Sequence, residues 1–101
     1  MIVRIWTTGV EQGRAADYEA FARDISLPMF RQQAGYRGVL MGRRNGDCVV
    51  ISLWEDEAAL ATLDQSPSYQ ATVQRILAEG FLMGEQTVEA YDLHLLDLAT
   101  S

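Results

Sequence analysis

The sequence predicts an α+β fold in which six elements follow the order β-α-β-β-α-β. Three observations carry that expectation. Two regions with helical apolar spacing each lie between stretches rich in β-branched and aromatic residues. An Asn45-Gly46 pair separates the two central strands, and this dipeptide is a strong hairpin signal. The stretch Cys48 to Trp54 reads Cys-Val-Val-Ile-Ser-Leu-Trp and is apolar at almost every position, so neither face of that strand suits water. The order is that of the ferredoxin-like split unit, a four-stranded antiparallel sheet carrying both helices on one face.

The first strand runs from Ile2 to Thr8, and Gly9 and Gly13 punctuate the turn after it. From Arg14 the period becomes helical. Tyr18, Phe21, Ala22, Ile25 and Met29 fall on one apolar stripe. Pro28 has no N–H to donate and is expected to kink or end that helix near Ser26 or Leu27. Ala34-Gly35 supplies a stop before the second strand, Tyr36 to Arg44. Gly38 and Gly42 share one face of it, where missing side chains leave room for a neighbour or a ligand. The third strand, Cys48 to Glu55, runs antiparallel to the second. Asp56 caps a short helix, Glu57 to Leu63, which Asp64-Gln65-Ser66 interrupts. Ser66 followed by Pro67 starts a longer helix with Tyr69, Val73, Ile76 and Leu77 on its apolar face. Gly80 stops it. Phe81-Leu82-Met83-Gly84 reads as an apolar connector without a period, and Thr87 to Leu96 as the last strand.

A length of 101 residues fits one domain over 1–101. Fourteen acids against eight bases give a net charge of −6, which argues against attraction to nucleic acid or an anionic membrane. Cys48 is the only cysteine, so no internal disulfide is expected and a reducing compartment follows. Met1 to Thr8 carries Arg4 in its middle and does not read as a secretory leader, and no apolar run approaches the ~18 residues of a membrane span. A cytoplasmic location is the expectation. One His and one Cys do not build a typical structural zinc site, and no phosphate-loop pattern occurs, so neither metal nor cofactor is expected.

Two helices cover one face of a small sheet. The third strand is apolar on both faces, and so is the last, with Val88, Ala90, Tyr91, Leu93, Leu95 and Leu96. A second copy of the chain stacked sheet to sheet satisfies both strands. The expected partner is therefore the chain itself, as a homodimer through the sheet face, with any pocket on the helix side.

Several residues are candidates for such a pocket. Trp54 ends the apolar strand, where it can stack on a flat substrate and donate its indole N–H, or simply plug the end of the core. Arg4 and Trp6 share one face of the first strand. A cation beside an aromatic suits a phenolate or enolate, the alternative being that Arg4 pairs with one of the many acids. His94 is the only histidine, placed in the last strand on the face of Asp92 and Val88. It suits a general base, or decorates an edge near the C-terminus. Tyr18, Phe21, Phe30, Tyr69 and Phe81 can line an apolar pocket under the helices or pack as core, with Met29 and Met83 as an adaptable wall.

The residues resemble a known family. Val10-Glu11-Gln12-Gly13-Arg14 precedes the first helix, and Gly35-Tyr36 opens the second strand. Leu53-Trp54-Glu55-Asp56 closes the third strand, and Ser66-Pro67-Ser68-Tyr69 opens the longer helix. Together they resemble the antibiotic-biosynthesis-monooxygenase-like domain of the dimeric α/β-barrel superfamily. That resemblance implies a homodimeric barrel with a pocket between sheet and helices in each subunit. Its members include cofactor-free quinone-forming oxygenases, haem-degrading oxygenases and proteins with no known activity. Where the haem-degrading branch has its Asn, Trp and His, this chain has Trp6, Leu63 and Val73. The cofactor-free branch has a Trp that Trp54 matches, an Asn that falls on Val50 and a Tyr that falls on Leu60. The resemblance does not imply one reaction, and the leading expectation is a cofactor-independent monooxygenase that oxidises a flat phenol- or anthrone-like aromatic with O2. Trp54 would orient the substrate, Arg4 would stabilise its anion, and His94 would act as base. The alternatives are a non-catalytic small-molecule-binding or stress-related dimer and, more distantly, a haem-binding oxygenase.

Overall fold

The structure, a computed structural model, describes residues 1–99. Its elements are β1 (Ile2–Val10), a 3₁₀ turn (Gln12–Arg14), α1 (Ala15–Phe21), a π-helical stretch (Ala22–Ser26), α2 (Leu27–Arg31), β2 (Tyr36–Arg44), β3 (Asp47–Trp54), α3 (Glu57–Gln65), α4 (Pro67–Ala78) and β4 (Leu82–Asp92). The strands form one antiparallel sheet in the order β2-β3-β1-β4. This is the expected ferredoxin-like order, with each helical region divided.

The hairpin between β2 and β3 turns on Asn45 and Gly46. Asn45 takes a φ of +52°, a left-handed conformation that asparagine tolerates better than most residues. Asp56 caps α3 as expected, its Oδ1 accepting the Ala59 N–H at 2.9 Å. The break after α3 is narrower than the sequence suggested. It is confined to Ser66, whose N–H donates to the Leu63 carbonyl and whose hydroxyl accepts the Tyr69 N–H.

Pro28 does not end the first helical region. The Leu27 N–H donates to the Ala22 carbonyl, five residues back, and helix continues through Pro28 to Arg31. A proline in an α-helix crowds the carbonyl four residues before it and offers no N–H to it. The wider π turn absorbs that misfit by adding a residue.

The last strand lies earlier than expected, over Leu82–Asp92 rather than Thr87 to Leu96. Leu82 pairs with Val10 and Met83 with Gly9, so most of the supposed connector is strand. Two irregularities hide its period: a register shift opposite Thr7–Gly9, and Gly84 at φ +72°. The strand ends at Asp92, and the Leu93 N–H donates to the Met1 carbonyl. His94 and the leucines after it therefore lie beyond the sheet.

Burial alternates along the inner strands. Ile2, Arg4, Thr8 and Val10 of β1 and Cys48, Val50, Ser52 and Trp54 of β3 are buried toward the helices. They feed two core clusters. One joins Met29, Phe30, Val50, Trp54, Ala59 and Leu63. The other joins Val10, Tyr18, Phe21, Cys48 and Phe81. Trp6 touches both. At ~25 cal/mol per Å², a fully buried aromatic such as Trp54 contributes on the order of 4–6 kcal/mol. The opposite face carries Val3, Ile5, Val49 and Ile51, all partly exposed, with Gly38 and Gly42 across from Leu53 and Val49, and among the described residues no helix covers it.

Candidate functional site

Between the two clusters the helix face opens into a cavity of about 310 Å³. Its floor is Arg4 and Trp6 of β1, Val50 of β3, Met41 of β2, and Gln86 and Val88 of β4. Tyr69, Thr72, Val73 and Ile76 of α4 roof it. Tyr18, Ala22, Ser26, Met29 and Phe30 form the wall along the first helical region. The four α4 residues fall at i, i+3, i+4 and i+7, one face of one helix. Ala22 and Ser26 reach the wall from the π turn.

Period-two alternation in β1 turns Arg4 toward the helices, where it is only 7% exposed. Its Nη2 donates to the Tyr69 hydroxyl at 2.7 Å, and its guanidinium carbon lies 5.6 Å from the centre of the same ring. Among the described residues no carboxylate forms an ion pair with Arg4. The alternative of a structural ion pair is thus not the one adopted. A buried cation facing only neutral groups leaves a positive potential in a site of low dielectric, and an anionic ligand is what satisfies it. Tyr69 accepts from Arg4, so its own O–H is free to point elsewhere.

The other polar groups do less. The Thr72 hydroxyl donates to the Ser68 carbonyl within α4. Tyr18 is buried against Cys48, and burial first, then the neighbouring thiol, pushes its phenol pKa above the ordinary 10.0. Burial likewise pushes the Cys48 thiol up. Near neutral pH both stay protonated, and neither offers a base or a nucleophile.

Six of the residues singled out in the sequence meet at this cavity: Arg4, Trp6, Tyr18, Met29, Phe30 and Tyr69. Four others do not. Trp54 is fully buried behind the wall, packed edge-on to Phe30 and Tyr36, and its indole N–H donates to Ser52 Oγ at 2.8 Å. It cannot stack on a ligand in this cavity, because both its face and its donor are committed. Phe21 and Phe81 pack edge-to-face in the second core cluster. Met83 is exposed on β4. His94 is exposed past the end of β4, since the strand stops at Asp92, and it is not among the residues lining the cavity.

The sequence reading missed Met41, Ser26, Thr72, Gln86 and Val88. Thr72 was visible as the helical neighbour of Tyr69, and Val88 as the strand partner of Trp6 once the register is known. Among the described residues no three His, Cys, Asp or Glu side chains cluster as a metal site, and no helix is long and apolar enough to cross a membrane.

A family model described as antibiotic biosynthesis monooxygenase matches residues 1–75. No curated protein matches the chain. Among solved structures, a monooxygenase from the gene ActVA-Orf6 of Streptomyces coelicolor, in complex with nanaomycin D, superposes with a TM-score of 0.81 at 16% identity, covering 98% of this chain and 92% of that one. SnoaB, a cofactor-independent oxygenase from Streptomyces nogalater, superposes at 0.74 and 16% identity over 94% of each chain. A protein of unknown function from Nitrosomonas europaea superposes at 0.77 and 16%, covering 99% of this chain and 95% of that one. At such identities these likenesses speak for the fold alone.

Proposed function

The chain belongs to the antibiotic biosynthesis monooxygenase family, and on that premise we propose that it oxidises a flat, acidic aromatic of the phenol or anthrone class with O2, without a cofactor. The observation that carries this reading is Arg4, a buried guanidinium with no carboxylate partner among the described residues, set in a cavity that Trp6 also lines.

The reaction balances as a CH2 group plus O2 giving a carbonyl plus water. A cation at the substrate oxygen favours loss of the C–H proton, because the resulting enolate places its charge against Arg4. The proton leaves to water on the β4 side, where Gln86 and Val88 are exposed. The carbanion passes one electron to O2, and the two radicals combine in a new C–O bond. Protonation gives a hydroperoxide. It loses water across its O–O bond, one oxygen atom staying as the carbonyl. The protein contributes orientation, exclusion of bulk water and a fixed charge, which are the effects a cofactor-free site has available. Two copies associate through the bare apolar face of the sheet as a homodimer, each keeping its own cavity.

The test is oxygen uptake by the purified, chelator-treated protein with a hydroxylated anthrone, the uncatalysed rate subtracted. Protein-dependent uptake that falls in Arg4→Met is expected. Binding of the aromatic without uptake would overturn the catalytic reading and leave a non-catalytic small-molecule-binding protein.

A further inference from the structure

The floor of the cavity is ordered along the sheet. Arg4 pairs with Ala90 and Trp6 with Val88, and Gln86 is the next residue on the same side of β4. Charge, indole and amide follow one another in a row. At ~3.3 Å per residue, the backbone of Gln86 lies roughly 13 Å along β4 from the Arg4–Ala90 pair.

Gln86 owes its place to an irregularity for which both strands are built. Thr7 pairs with Thr87, whereas Gly9 pairs with Met83. Two steps along β1 thus meet four along β4, and Gln86 lies in the surplus. Gly84 turns that surplus with a φ of +72°. A Cβ on Gly9 would come within 2.6 Å of the Met83 carbonyl oxygen, so the strands close around it only as glycine. Bulges beside a site set the direction of a side chain, here that of Gln86 at the cavity's exposed edge.

Most other polar groups of the cavity are engaged. The Tyr18 hydroxyl is bonded to Cys48, and the Thr72 hydroxyl donates to the Ser68 carbonyl. Ser26 stands on the wall rather than the floor. The Gln86 amide has no hydrogen-bond partner among the described residues. An amide donates to a carbonyl and accepts from a hydroxyl equally well.

We propose that Gln86 is a specificity-determining residue, which binds a second oxygen at the far end of the substrate while Arg4 and Tyr69 hold the acidic one. The substrate class narrows to linearly fused tricyclic aromatics with oxygen on both outer rings. This rests on the reading of the cavity as a site for oxidising acidic aromatics. Arg4 decides which end goes in, because only an ionised oxygen gains from the guanidinium. Gln86 decides how long the ring system is, because a bicycle held at Arg4 stops short of it. A cavity of about 310 Å³ is at the small end of ligand sites, which suits three rings better than four.

Isothermal titration under nitrogen, where no oxidation occurs, tests this with four probes. They are a naphthol, an anthrol, and the naphthalenediol and anthracenediol that carry a further hydroxyl on the opposite outer ring. The anthracenediol is expected to bind about 3- to 10-fold tighter than the anthrol, beyond the statistical gain of any symmetric diol, as for one added neutral hydrogen bond. The naphthalenediol is expected to show no such gain over the naphthol. Gln86→Leu keeps the bulk of this exposed side chain and removes the amide. It is expected to abolish the anthracenediol preference and leave anthrol affinity within about threefold. A preference that persists in Gln86→Leu, or one absent from the wild type while the anthrol binds, would overturn the role of Gln86 and leave the aromatic site in place. An equal gain for the naphthalenediol would overturn the span and the tricyclic class with it. Failure of all four probes to bind the wild type would overturn the aromatic reading of the cavity together with this one.

Discussion

Arg4 and Tyr69 meet twice. The guanidinium donates to the tyrosine hydroxyl at 2.7 Å and stands 5.6 Å from the centre of its ring. The pair joins β1 to α4 across the cavity, 65 residues apart in sequence. Its chemistry is one-sided, with charge on one partner and none on the other. A carboxylate at position 69 would have quenched the site, whereas a phenol leaves its field intact.

Arg4→Met removes the charge while keeping an apolar chain of similar reach. Affinity for an anionic aromatic such as a naphtholate is expected to fall at least about 30-fold, roughly 2 kcal/mol, as for truncating one partner of a buried charged contact. Affinity for a neutral aromatic of the same shape is expected to change little. Isothermal titration with the two ligands checks the difference.

Trp54→Phe is expected to lower stability by about 1–3 kcal/mol, since it trims a fully buried ring and strands its polar partner Ser52. Ligand affinity is expected to hold within about threefold, because Trp54 does not line the cavity. Denaturant unfolding and titration of the same variant separate the two. A large affinity loss in a stable Trp54→Phe protein would return Trp54 to the site.

Tyr18 and Cys48 carry the pH dependence. Both hold their protons more tightly when folded than when unfolded, because burial disfavours the anions. Their contribution to stability is complete below the unfolded values, 9.0 for the thiol and 10.0 for the phenol, and is lost as pH rises above them. Stability is therefore expected to decline from about pH 9 upward, and Tyr18→Phe should flatten the part of that decline above about pH 10. Urea midpoints between neutral pH and pH 11 measure it.

Gly35 and Gly84 both have positive φ, +78° and +72°. A Cβ on Gly35 would sit 2.5 Å from Ala59 Cβ, whereas at Gly84 it would meet nothing. Gly84→Ala is expected to cost about 1–2 kcal/mol, the left-handed penalty alone. Gly35→Ala adds the clash against the start of α3, for a total of roughly 2–5 kcal/mol. Thermal unfolding of the pair isolates the clash.

Much of this was legible in the sequence. Arg4 and Trp6 were placed on one face by a period of two, and Tyr18, Met29 and Tyr69 by a period near four, because packing alone sets those patterns. The role of Trp54 was not legible, since an aromatic at a strand end looks the same whether its ring meets a ligand or the core. His94 was misplaced with its strand. The leucines at 93, 95, 96 and 98 imitate a buried strand, while the irregular stretch around Gly84 masks the true one. Apolar pattern reports that a residue needs covering, and it does not say whether its own sheet does so.

The π turn at Ala22–Ser26 has an evolutionary consequence. The wide turn takes up one residue more than an α turn, so the helix after it keeps the phase of the helix before it. Ala22 and Ser26 on one side, and Met29 and Phe30 on the other, line the same cavity across it. Deleting one residue here would close the turn to an ordinary α turn and leave Phe30 against Trp54 and Met29 at the site. Its cost would fall on Pro28, which would then crowd the carbonyl four residues before it. This stretch should therefore tolerate the loss of a residue only when Pro28 is replaced with it.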